Sequence, residues 1–223
     1  MVRTKINDRV LPVYSVGEEV FNMVSHIVGA AFGVLALVMC IIVSAVNGNI
    51  WGIVGSAIYG ASLIILYTMS SIYHGLRPSR AKKIMQVMDH CTIYGLIAGT
   101  YTPILLCSIR PVSPVWCWIL FGFVWGAAAV GIVLNAIDLK HFRVISMVCY
   151  LLMGWCIIFA FGTLTESMER NGIVWLVLGG VFYTLGAILY GLGKKIPYMH
   201  SVFHIFTVLG SITQFICIIK YVL

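Results

Sequence analysis

His200 and His204 stand one helical turn apart in the stretch PYMHSVFHIF, residues 197–206. Histidines at i and i+4 share one face of a helix. Two neutral imidazoles, a third from elsewhere and one position left open make the ligand set of a catalytic zinc. His74, at the end of SSIYHGL (70–76), is the third candidate, four residues after Ser70. The pair has the spacing of H-E-x-x-H, but Ser201 occupies the place of the glutamate. The general base must then come from another element, and Asp89 is the candidate carboxylate. Other readings stay open on these residues alone. His and Asp could form a proton relay, Asp89 could pair with Lys82 or Arg80, and Ser70 could bond back onto its own helix.

The stretch EEVFNMVSHIVG (18–29) adds a second polar stripe. Glu19, Asn22, His26 and Gly29 recur at intervals of three, four and three, which puts them on one helix face. His26 is a fourth ligand, a hydrogen-bond donor behind the ligands, or a packing contact. The second is the favoured expectation, with Glu19 and Asn22 beside it. His90 follows Asp89 and points about 100° away around the helix, so it is not expected to share the role of Asp89. His141 is expected in a solvated loop. The segment IAGTYTP (97–103) reads as helix packing and a kink.

What positions these groups is a membrane bundle. The 223 residues are 61% hydrophobic and 9% charged, with mean hydropathy +1.03. Apolar runs of about 20 residues recur throughout, as bilayer-spanning helices require. The expected architecture is all-α, a single seven-helix transmembrane domain over residues 1–223, with spans near 20–45, 50–75, 84–107, 115–137, 144–164, 172–193 and 198–221. Ser15 and Glu18 form a capping box that starts the first helix before the bilayer core. Pro197 suits the first turn of the seventh. Trp116, Trp118 and Trp175 read as interface anchors. The seven cysteines are scattered singly and read as small apolar residues, although Cys107 and Cys117 flank one short loop. No cleavable signal peptide is expected.

The net charge of +7 does not indicate nucleic acid, because the basic residues sit in short loops between apolar runs. The N-terminal segment 1–19 and alternate loops carry Arg3, Lys5, Arg9, Arg77, Arg80, Lys82, Lys83, Lys140, Arg143, Lys194 and Lys195; the other side carries Arg110, Arg170 and Lys220. Eleven against three places the N-terminus in the cytoplasm and the C-terminus outside. The histidines and Asp89 then lie within roughly 5–10 Å of the cytoplasmic edge of the hydrocarbon core. Ionisable groups are expensive there and normally face one another or a cavity, so a shared site is expected.

The motifs ExxNxxSHxxG (Glu19 to Gly29), SxxxH (Ser70 to His74), DHCTIYGLIAGTYTP (Asp89 to Pro103) and PYxHxxxH (Pro197 to His204) closely resemble the hemolysin III family of bacterial membrane proteins. That family is related to the progestin and adipoQ receptors and to the alkaline ceramidases. The resemblance implies a seven-helix fold in the bacterial plasma membrane. It also implies zinc on His74, His200 and His204, Asp89 holding the zinc-bound water, and Ser70 behind the ligands. Two function classes follow. One is a zinc-dependent hydrolase acting on an amide or ester bond of a membrane lipid. The other is non-enzymatic: a pore-forming, cytolytic protein, as the family name implies, or a sensor of membrane state with structural zinc.

Overall fold

A computed structural model describes residues 4–193 and 196–223. Among the described residues the chain is helical throughout: α1 (Val16–Val46), α2 (Ile50–Gly75), α3 (Arg80–Pro103), α4 (Arg110–Val112), α5 (Pro114–Trp155), α6 (Phe161–Ser167), α7 (Arg170–Leu192) and α8 (Met199–Tyr221). A π-helix, Ile104–Ile109, joins α3 to α4, and a 3-10 turn, Cys156–Ala160, joins α5 to α6. Six helical stretches are long and apolar enough to cross a membrane, where seven spans are expected. The difference lies in Pro114–Ser167, a single stretch of 54 residues. Its helix is interrupted at Asp138, whose backbone is extended (φ −155°, ψ 90°).

Side-chain caps set the starts. The Ser15 hydroxyl accepts from the Glu18 amide while the Glu18 carboxylate accepts from the Ser15 amide, so the expected capping box is present. Asn49, Ser79 and Ser113 cap α2, α3 and α5 through their side chains. The Ser79 cap begins α3 at Arg80, one turn earlier than the hydropathy pattern implies, and this brings Lys82 into the helix. Asp138 Oδ1 accepts from the amides of Lys140 and His141, so it caps the second arm of α5. Pro197 does not enter α8. It precedes the cap residue Tyr198, which takes a left-handed backbone (φ 62°) with its amide donated to Glu18 Oε1.

The helices pack in order, α1 on α2, α2 on α3, α3 on α5, α5 on α7 and α7 on α8, and α8 returns to α1. Lipid gives helices no hydrophobic reason to associate, so close approach at small residues matters. A Cβ on Gly29 would lie 2.6 Å from the Tyr67 ring, and one on Gly60 would lie 2.5 Å from the Leu37 side chain. Tyr67 and Tyr183 both bond to Ser211 Oγ at 2.7 Å, tying α2 and α7 to α8. Outward positions such as Val28, Leu35, Val133 and Leu152 are exposed and apolar, as a lipid-facing surface requires.

Contacts gather the helix ends onto two opposite faces. On one, the Thr4 amide donates to Asp138 Oδ2, Lys83 Nζ donates to the Asn7 carbonyl, and Tyr198 meets Glu18. On the other, Asn47 Nδ2 donates to the Leu223 carbonyl and Arg110 lies over the Trp51 ring. Lys5, Arg9, Arg77, Arg80, Lys82, Lys83, Lys140 and Arg143 belong to elements of the first face. Arg3, Lys194 and Lys195, which also enter the charge count, lie outside the described residues.

Candidate metal centre

His74 closes α2, and His200 and His204 open α8, so antiparallel ends meet at one depth on the first face. All three are buried, and one ring nitrogen from each lies within 4.8 Å of the others. The Nε2 atoms of His200 and His204 are 3.2 Å apart. Two nitrogens held at 2.0–2.1 Å by one tetrahedral zinc lie roughly 3.3–3.4 Å apart, so this pair already has the separation of co-ligands. The wider pairs must close by at most roughly 1.4 Å to reach the same geometry. His74 Nε2 is buried with no hydrogen-bond partner, a costly state for a free imidazole and the required one for a ligand. The donor set therefore fits a metal ion.

The other nitrogen of His74 has a strong partner. His74 Nδ1 lies 2.7 Å from Glu19 Oε2, and Glu19 Oε1 accepts from Lys82 Nζ at 2.5 Å. A carboxylate on Nδ1 places the proton there and leaves the Nε2 lone pair for a metal. Lys82 thus pairs with Glu19 and not with Asp89. On the α8 side, His204 Nδ1 lies 3.5 Å from Ser25 Oγ.

The stripe on α1 faces the cluster. Asn22 and His26 are buried, and the His26 ring stacks on His204 with centroids 3.7 Å apart. Neither the His26 nitrogens nor the Asn22 side-chain atoms have hydrogen-bond partners among the described residues. On the opposite side Tyr14 stacks on His200 at 4.9 Å. Burial holds the Tyr14 phenol above its ordinary pKa, so the ring stays neutral against the histidines.

A cavity of about 220 Å³ opens from this cluster into the bundle. Ser70, Asp89, His200 and His204 line its polar end, and Ile104, Leu164 and Gln214 line its far end. Asp89 to Ile104 is fifteen helical positions, so the cavity reaches about 20 Å along α3. Its walls between these ends are mostly apolar, including Ile93, Leu96, Ile97 and Val177. Ser70 is buried, and the hydroxyl that bonds back to the helix is its neighbour's, Ser71 to the Tyr67 carbonyl.

His90 lies nearer to Asp89 than the spacing alone implies, although its Nδ1 bonds to the Gln86 carbonyl at 2.9 Å. It lines the same cavity as Asp89, with Nδ1 3.6 Å from Asp89 Oδ2 and Nε2 3.2 Å from the Tyr190 hydroxyl. The side chain is long enough to fold back along the helix, which the angular separation of the two Cβ atoms does not reveal. Tyr14 is a participant the sequence does not single out, and Lys82 is one it offers only as a partner for Asp89. Lys82 stands in the basic run RPSRAKK and counts there as one more loop charge, and Tyr14 precedes the first apolar run.

The family model described as "Haemolysin-III related" matches residues 14–215. The chain is 36% identical to hemolysin-3 of Bacillus cereus over 93% of both chains. It is 38% identical to a hemolysin-3 homolog of Bacillus subtilis (strain 168), over 94% of this chain and 96% of the relative. A more distant relative is the human monocyte to macrophage differentiation factor, 27% identical over 83% of this chain and 78% of that protein. The match extends from Tyr14, which stacks on His200, through all three histidines, and the chain belongs to the haemolysin-III related family.

Proposed function

We propose that this protein is a seven-helix protein of the bacterial plasma membrane that hydrolyses an amide or ester bond of a membrane lipid at a zinc held by His74, His200 and His204. The observation that carries the reading is the junction of two features. A buried histidine triad whose ring nitrogens lie within 4.8 Å of one another presents two of its members, His200 and His204, to the polar end of a long apolar cavity that Asp89 and Ser70 also line.

Seven crossings are supported by the length of Pro114–Ser167. As one helix it would run about 81 Å, against a hydrocarbon core of about 30 Å. The break at Asp138 divides it, and the Thr4–Asp138 contact returns that break to the face of the N-terminus. The basic residues of that face support a cytoplasmic N-terminus.

Zinc bound here supplies Lewis acidity and brings the pKa of a water to about 7. The protein's own groups do the rest. Asp89, at the cavity wall, accepts the proton of the attacking water and orients it, in the place where H-E-x-x-H enzymes use glutamate. Ser70 donates a hydrogen bond to the carbonyl oxygen as negative charge develops on it. The apolar walls take the hydrocarbon chain, which holds the scissile bond at the polar end and excludes bulk water. Glu19 holds His74 through Nδ1 and His26 supports His204 by stacking, with Asn22 buried on the same stripe of α1.

Asp89→Asn tests the reading. Because Asp89 is not a ligand, the variant is expected to keep its zinc and fold while cells expressing it lose the lipid changes produced by the wild type. A wild-type lipid profile in Asp89→Asn cells, with the histidine variants defective, removes the hydrolase and leaves structural zinc. The name of the Bacillus cereus relative, a hemolysin, favours a second reading, lysis of cells without lipid hydrolysis. Release of haemoglobin from red cells by Asp89→Asn at the wild-type rate would support it.

A further inference from the structure

We propose that Lys82 is a positioning residue for the metal centre, acting on His74 through Glu19. The inference rests on the zinc reading above.

Lys82 is the second link in an unbroken chain of contacts leading away from the triad. Its side chain is only 4% exposed although it lies in a basic loop-to-helix run. Nζ donates to Glu19 Oε1 at 2.5 Å and to the Leu76 carbonyl at 3.0 Å, and it lies 5.2 Å from the Tyr73 ring centroid. The other Glu19 oxygen, Oε2, is 2.7 Å from His74 Nδ1. One ammonium thus fastens the start of α1, the end of α2 and the first turn of α3 around one ligand.

The chemistry follows from the donor inventory. An ammonium has three donors and no acceptor, so it can anchor one carboxylate oxygen but cannot compete for the ligand nitrogen. With Oε1 held, Oε2 points at His74 and keeps the proton on Nδ1. The bare Nε2 is then turned toward His200 and His204. Without Lys82, Glu19, whose side chain is 21% exposed, is free to swing toward water and release the ring. Leu76 caps the end of α2, so Lys82, bonded to its carbonyl, also fixes the height of His74, two residues earlier. Loss of such outer partners lowers metal affinity by about 10- to 100-fold.

The test is zinc competition against a chromophoric chelator, using the purified full chain in detergent. Lys82→Met is expected to lower zinc affinity by about 10- to 100-fold, and Lys82→Arg, which keeps the charge and donors, to retain more than Lys82→Met. The double variant Glu19→Gln/Lys82→Met should bind no more weakly than the poorer single variant, because both remove one chain of contacts. With cobalt in place of zinc, Lys82→Met should also shift the visible absorption of the site, a readout that mere loss of stability does not move. Wild-type affinity and spectrum in Lys82→Met would overturn the proposal while leaving the zinc centre intact. Losses that multiply in the double variant would overturn it too, because Lys82 would then act independently of Glu19. A wild-type chain that takes up no zinc while folded removes the zinc reading itself, and this proposal with it.

Discussion

The imidazole of His26 lies face to face on that of His204, with centroids 3.7 Å apart and planes within 23°. A stacked ring supports its neighbour without presenting a lone pair to the same ion. His26→Ala is therefore expected to lower zinc occupancy less than removal of a ligand. His26→Phe, which restores a flat ring, should recover most of the loss. Metal analysis of the purified variants checks this, and a loss equal to that of His204→Ala would make His26 a ligand.

The three ligand variants set that scale. The wild type should carry close to one zinc per chain, and His74→Ala, His200→Ala and His204→Ala should each lose most of it. The three nitrogens lie within 4.8 Å of one another, so two remaining histidines cannot replace the third from nearby. Full occupancy in all three variants would remove the site.

Much of this centre is legible in the sequence because membrane burial makes ionisable residues rare. His74, Asp89, His200 and His204 stand out against apolar runs, and helical spacing gives their faces. Other parts depend on register or on distant contacts. Lys82 reads as a loop charge because its burial follows from where Ser79 starts α3. The position of His90 beside Asp89 depends on its rotamer, and the contact of Tyr14 with His200 depends on a segment outside the apolar runs. The break at Asp138 is legible as well, because it falls between the spans expected at 115–137 and 144–164.

That break supplies a stability prediction. Asp138 caps the second arm of α5 with Oδ1 and accepts from the Thr4 amide with Oδ2. Asp138→Ala should cost about 0.5–2 kcal/mol, the range for loss of a helix cap. Asp138→Asn, which keeps an acceptor, should cost less. Thermal unfolding in one detergent measures both, and equal melting of all three proteins would show that the turn is held by other contacts.

Orientation is open to direct measurement. A reporter active only outside the cytoplasmic membrane should be active when fused after Leu223 and silent when fused after Lys195. The expectation combines the 11-to-3 distribution of Lys and Arg with the gathering of the N-terminal segment, the Asp138 break and the start of α8 on one face. The reverse pattern would move the histidines to the outer leaflet and exclude a cytoplasmic-side substrate.

Ser70 and Asp89 line one end of the same cavity but are assigned different steps, and their variants should separate. Ser70→Ala removes a hydrogen bond that strengthens as charge develops on the carbonyl oxygen. It should lower kcat by about 10²–10³ with KM little changed, as for loss of an oxyanion donor. Asp89→Asn removes the proton acceptor and should lower kcat by about 10²–10⁴. Added formate should restore part of that loss and none of the Ser70→Ala loss, because only Asp89→Asn lacks a proton acceptor. A third variant, Val177→Trp, fills the apolar wall of the cavity about 20 Å along α7 from Tyr190, which meets His90 at the polar end. It should discriminate against long-chain lipids while sparing zinc and turnover of short-chain ones. Equal loss on both chain lengths would place the hydrocarbon chain outside the cavity. Wild-type kcat in Asp89→Asn would take the general base away from that residue.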